Sequence, residues 1–137
     1  MTSPSKESVS LFICDDIRKE EQEKISMLGI YYNRVISVPK SADGTISSLC
    51  FIIALNCKPG QYPISFEIIE KDDKNETIFR SPAETLIIRE GSDHGLFAAK
   101  LANIKYKDGE HGDTGDFILN VKIKSGEYVF PFKIKVL

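Results

Sequence analysis

Between Leu11 and Leu137, β-branched and aromatic residues fall in short runs separated by clusters of Gly, Pro, Asp and Asn. Runs at a spacing of about a dozen residues are the pattern of strands in a sandwich, and no long segment carries a helical period. Strands are predicted over 9–17, 24–33, 46–57, 61–71, 76–81, 84–90, 96–106, 116–124 and 127–137, with the two around Pro82 readable as one interrupted strand. The fold expected from this pattern is an all-β antiparallel sandwich of about eight strands. It would form one domain over 9–137 behind a flexible polar lead, 1–8.

The clearest alternation is Tyr62, Ile64, Phe66 and Ile68, then Phe117, Leu119, Val121 and Ile123, with Glu67, Asn120 and Lys122 pointing the other way. Ser125-Gly126 fits a tight turn that pairs Lys124 with Glu127 and sets the second row opposite Tyr128, Phe130, Phe132 and Ile134. In that register Pro131 faces Asn120 without an N–H to give, so a bulge or a sheet edge is expected there. Lys133 and Lys135, beside Lys122 and Lys124, read as charges protecting an edge strand. A basic docking patch is the sharper alternative.

The run 46–57 differs because both of its faces are apolar. Leu49, Phe51, Ile53 and Leu55 fill one side while Ile46, Cys50, Ile52 and Ala54 occupy the other. An antiparallel sheet ordinarily shows water one face, so the second apolar face needs a cover. The 34–45 connection or a second molecule would provide it, which makes Ile46, Cys50, Ile52 and Ala54 the candidate interface.

Composition narrows the partners. With 137 residues, 42% hydrophobic and 28% charged, the chain is an ordinary globular domain able to bury a core. A net charge of -2 supplies no field for nucleic acid or anionic membrane. No apolar stretch approaches the roughly 20 residues of a membrane helix, and the polar start does not look like a secretory signal. Cys14, Cys50 and Cys57 have no Cys-x-x-Cys spacing and read as reduced core residues, which points to the cytoplasm.

The segment LFICDDIRKEEQEKISMLGIYY, residues 11–32, resembles the opening of a family of small uncharacterised bacterial β-sandwich proteins. Asp15, Asp16, Lys24, Ile25, Leu28, Gly29 and Ile30 carry the match, and GDFILNVKIKSGEYVFPFKIKV is similar to that family's closing hairpin. Glu23 stands where the family often has glycine. The resemblance implies an immunoglobulin-like sandwich and brings with it no catalytic residue.

Little in the sequence promises chemistry. Asp15 and Asp16 lie at a strand end where the pleat sends neighbouring side chains to opposite faces, so they form no acid/base pair, though one can cap the following turn. Residues 107–116 place Asp108, Glu110, Asp113, His111 and Asp116 among three glycines. Oxygen ligands on such a loop suit calcium, although the spacing is not that of an EF-hand. Asp108, Glu110 and Asp113 are the candidate ligands, with Asp43, Asp72 and Asp73 as possible neighbours at one end of the sandwich. Turn-forming Gly and Asp explain the same residues without an ion. His94 and His111 adjoin no nucleophile motif, and no phosphate-cradling loop is present. The functional expectation is therefore a protein-binding or assembly module, not an enzyme, without cofactor, whose partner is another protein or a second copy. The alternative is a calcium- or small-ligand-binding sandwich.

Overall fold

The computed structural model describes residues 3–42, 44–72, 74–106 and 115–137, which form strands and two 3-10 turns but no α-helix. The strands are β1 (Val9–Lys19), β2 (Ile25–Ile30), β3 (Val35–Val38), β4 (Thr45–Asn56), β5 (Gly60–Glu70), β6 (Thr77–Arg80), β7 (Glu84–Ile88), β8 (His94–Lys105), β9 (Gly115–Ile123) and β10 (Gly126–Val136). They build a four-stranded sheet, β2-β1-β4-β8, and a larger one, β3-β10-β9-β5-β6, with β7 also along β5. The fold is all-β, as expected, with two sheets enclosing one main core.

That core follows the period-2 rows. Leu11 and Ile13 of β1 and Leu49, Phe51, Ile53 and Leu55 of β4 meet Tyr62, Ile64, Phe66 and Ile68 of β5 and Phe117, Leu119, Val121 and Ile123 of β9. Phe51 lies 6.0 Å from Phe66 and 5.9 Å from Phe132 between ring centroids, which bridges the sheets. Each such side chain contributes roughly 1.5–3 kcal/mol on burial.

β6 and β7 pair with successive stretches of β5, at Glu67–Ile69 and Gly60–Ile64, so they are one edge strand interrupted at Pro82. Proline has no N–H for the ladder. Just before the break, Ser81 Oγ accepts the Phe66 N–H at 2.8 Å.

Three expectations are corrected. First, β10 is displaced by two residues: Ile123 pairs with Gly126, and the turn is Lys124-Ser125, with Lys124 at φ 55. A side chain at Gly126 would meet the Tyr128 hydroxyl and Ser3, so the glycine belongs under that packing and not at the turn's tip. An even shift leaves every side chain on its own face, so the core rows survive. Pro131 consequently faces Ile118 and not Asn120. Lys133 N–H donates away from β9, to Arg34 O at 2.9 Å. Two residues earlier, Pro131 presents its ring nitrogen to the same side, where β3 has not yet begun, so no ladder bond is lost.

Second, residues 35–38 are not part of a covering loop. Val35, Ile36 and Val38 form β3, which pairs in parallel with Lys133–Val136, so the sheets are not purely antiparallel and the end of β10 is not an open edge. Ile36 and Val38 are buried, which is the return on this pairing. Third, Ile46 belongs to the main core and not to the outer face. Ser47 and Ser48 are both exposed, and the 47/103 position is missing from the ladder, where Asn103 takes φ 54. This irregularity turns Ile46 inward.

Candidate functional site: the outer face of the four-stranded sheet

Residues directly opposite in antiparallel strands share a face, and the registers lay out the outer face of this sheet in three rows. Ser10, Ala54 and Leu96 form one, Phe12, Ile52 and Ala98 the next, and Ile30, Cys14, Cys50 and Lys100 the third. Cys14, Cys50 and Ile52 have no exposure and form a second small core, separate from the main one. Around it Phe12, Leu96 and Ile30 remain 40%, 41% and 47% exposed. Cys50, Ile52 and Ala54 thus sit on one face as expected. Phe12, Ile30, Leu96 and Ala98 extend it and were not anticipated. The unbroken apolar run Leu11-Phe12-Ile13-Cys14 was the available signal, because it makes β1 two-faced like β4.

The expected cover exists, but it is the β1–β2 hairpin. Ile17, Ile25 and Met27 from its distal half pack on Cys14, Cys50 and Ile52. β1 leaves β4 after Cys14. The hairpin tip then returns across the sheet, since Glu23 Oε1 meets Arg89 Nη1 at 3.0 Å, beside the end where β8 starts. Gln22 and Glu23, at φ 61 and 58, make the tight turn. Glu23 therefore occupies a conformation that glycine prefers.

The fold-back hinges on the adjacent carboxylates. Asp15 and Asp16 do point to opposite sides. The Tyr31 hydroxyl donates to Asp15 Oδ1, whereas Asp16 Oδ1 accepts the Ile17 N–H at 2.9 Å and lies 2.6 Å from Lys100 Nζ. The Lys100 bond holds the Asp16 carboxyl below its usual range and raises the Lys100 ammonium. Burial, followed by the bond to Asp15, raises Tyr31. Gly29, at φ +66, stands where a side chain would strike the Asp15 carboxylate, so this approach requires glycine.

Burial pushes the Cys14 thiol up to about 11 and also raises Cys50. Both are weak nucleophiles in the closed protein. The His94 side chain is exposed, with Nδ1 2.6 Å from Oδ1 of the neighbouring Asp93.

The other outer face mixes paired charges with exposed Ile87 and Val129. Cross-strand ion pairs join Arg80 to Glu67 at 3.3 Å, Lys133 to Asp116 at 3.8 Å and Lys122 to Glu127 at 4.0 Å. A shallow depression of about 680 Å³ there is lined by Arg34, Lys71 and Lys133 around Val129 and Pro131. Asp108, Glu110, Asp113 and His111, with Asp43 and Asp73, lie outside the described residues. Their flanks meet at one end, where Tyr106 N–H donates to Gly44 O and Lys71 N–H to Asp116 O, each at 2.8 Å. Asp72 is occupied by its own turn, accepting the Lys74 and Asn75 N–H groups at 2.9 Å.

No protein-family model and no curated protein matches the chain. Among solved structures, the chain is similar to an alkylpurine DNA glycosylase, AlkC, from Pseudomonas fluorescens bound to DNA containing an abasic site analog. The TM-score is 0.44 and the identity 11%, over 93% of this chain and 30% of that one. It is also similar to a family 123 glycoside hydrolase from Clostridium perfringens, with TM-score 0.46 and 14% identity over 94% of this chain and 27% of that one. The chain spans less than a third of either protein, and neither activity is carried over.

Proposed function

We propose that this chain is a non-catalytic docking or assembly module that binds a protein surface through the outer face of its four-stranded sheet. The occupant is a second copy or another protein with a complementary apolar face. The observation that carries this reading is the pairing of a fully buried floor, Cys50 and Ile52, with exposed Phe12, Leu96 and Ala98 in the same cross-strand rows. Contiguous exposed apolar surface is typical of interaction sites. A non-catalytic role is supported by the chemistry of the face, whose thiols are held protonated and whose Asp16 is held ionised beside Lys100. The hairpin resemblance supports an immunoglobulin-like sandwich of the small bacterial family, and the three free thiols fit a cytoplasmic setting.

Sedimentation velocity at rising concentration, with the immobilised chain used in parallel to capture partners, tests the reading. Association should weaken in Phe12→Lys, whose side chain is already partly in water, while the circular dichroism spectrum stays unchanged. A chain that stays monomeric throughout, and whose captured proteins are the same with and without the substitution, would end the proposal.

A further inference from the structure

Cys14 and Cys50 are direct partners across the β1/β4 ladder. Both lie in the same buried cluster, and their thiols aim at adjacent carbonyls, Cys14 Sγ at Asp16 O (3.4 Å) and Cys50 Sγ at Asp15 O (3.8 Å). Residues opposite each other in an antiparallel ladder have Cα atoms about 4.5 or 5.5 Å apart. Both values fall inside the roughly 4.4–6.8 Å that a disulfide spans. Cys57, by contrast, packs on the main core at the far end of β4. Over the pair lie Ile17, Ile25 and Met27 of the fold-back hairpin, whose tip meets Arg89 through the exposed Glu23.

We infer that Cys14 and Cys50 are a modification site: a latent cross-strand disulfide, formed by hydrogen peroxide that reaches the thiols when the hairpin lifts. Cys50 attacks first, as the thiol whose direct cross-strand neighbour is the cation Lys100, itself paired with Asp16. The Cys50 thiolate takes one peroxide oxygen as the O–O bond breaks. The hydroxide released picks up a proton to become water, leaving a sulfenic acid. The Cys14 thiolate then attacks that sulfur, the S–S bond forms, the S–O bond breaks, and the hydroxide released is protonated to a second water. Two thiols and one peroxide give one disulfide and two waters, the two electrons passing from sulfur to oxygen. The product staples β1 to β4 directly beneath the hairpin.

The native full-length chain, treated with hydrogen peroxide and analysed by intact mass and non-reducing peptide mapping, tests this. The expected result is loss of two hydrogen masses, a Cys14–Cys50 linked peptide, a raised melting temperature and reversal by dithiothreitol, all unchanged in Cys57→Ser. In urea the preference should move to Cys50–Cys57, the pair nearest in sequence, because a short loop closes most easily in an unfolded chain. Retention of all three thiols, arrest at sulfenic or sulfinic acid, or the same linkage pattern with and without urea would overturn the inference. Met27→Ala should speed the reaction several-fold, and an unchanged rate would refute access through the hairpin.

Discussion

The two sheets solve the same problem differently. Each must present one face to water, and the six-stranded assembly does so with opposed charges: Glu67 with Arg80, Lys122 with Glu127, Asp116 with Lys133. The four-stranded sheet carries Phe12, Ile52, Ala54, Leu96 and Ala98 on its outer side and folds its own hairpin over only part of them. Exposed ion pairs contribute little to stability, about 0–1 kcal/mol each, so the charged face mainly keeps that sheet solvated. The apolar face contributes more where it is dry and leaves a surface for contact where it is not. On the proposed reading, the four-stranded sheet is the side that associates.

The sharpest way to break that contrast is to change the charge on each face. Ile52→Asp buries an unpaired carboxylate and should cost on the order of 3–5 kcal/mol by urea denaturation. Lys122→Ala, on the charged sheet, should cost no more than about 1 kcal/mol. Similar costs at the two sites would mean the faces do not differ.

The hinge of the cover comes next in size. Gly29→Ala adds a side chain at positive φ against the Asp15 carboxylate and should destabilise by about 1–3 kcal/mol. Adding Asp15→Ala should recover the part due to the clash, leaving the backbone part, so the double-mutant cycle separates the two. Strict additivity would show that the two residues do not meet.

The smallest expected effect is electrostatic. The Asp16 carboxyl is held low by Lys100, so its stabilisation is fully present above the unfolded carboxylate pKa. It is lost as pH falls through the lowered, folded value. Asp16→Asn should lower stability slightly at neutral pH and flatten the decline on the acid side. An acid limb identical to the parent's would refute the assignment.

The alternation of β5 and β9 was legible because side chains that switch sides each residue leave a period that survives without knowledge of their partners. The double-faced character of β4 was legible for the same reason, and with it Cys50, Ile52 and Ala54. Ile46 was not, because two consecutive exposed serines and the φ of Asn103 across the ladder break the alternation at a place composition does not mark. The parallel β3 is four residues long and gains its identity from burial against β10, a partner about a hundred positions away. Nor does local pattern reveal the cover, since the contact placing the hairpin tip joins Glu23 to Arg89, 66 positions apart. The outer face was therefore half readable: its floor from period, its lid only from the fold.

Leu96→Lys and Val129→Lys provide the most direct test. The two residues are 41% and 58% exposed, on opposite outer faces. Light scattering of both variants beside the parent, across a range of rising concentration, compares the faces at nearly equal cost to folding. The account predicts that Leu96→Lys abolishes association while Val129→Lys leaves it intact. Equal loss in both variants, or loss only in Val129→Lys, would contradict it.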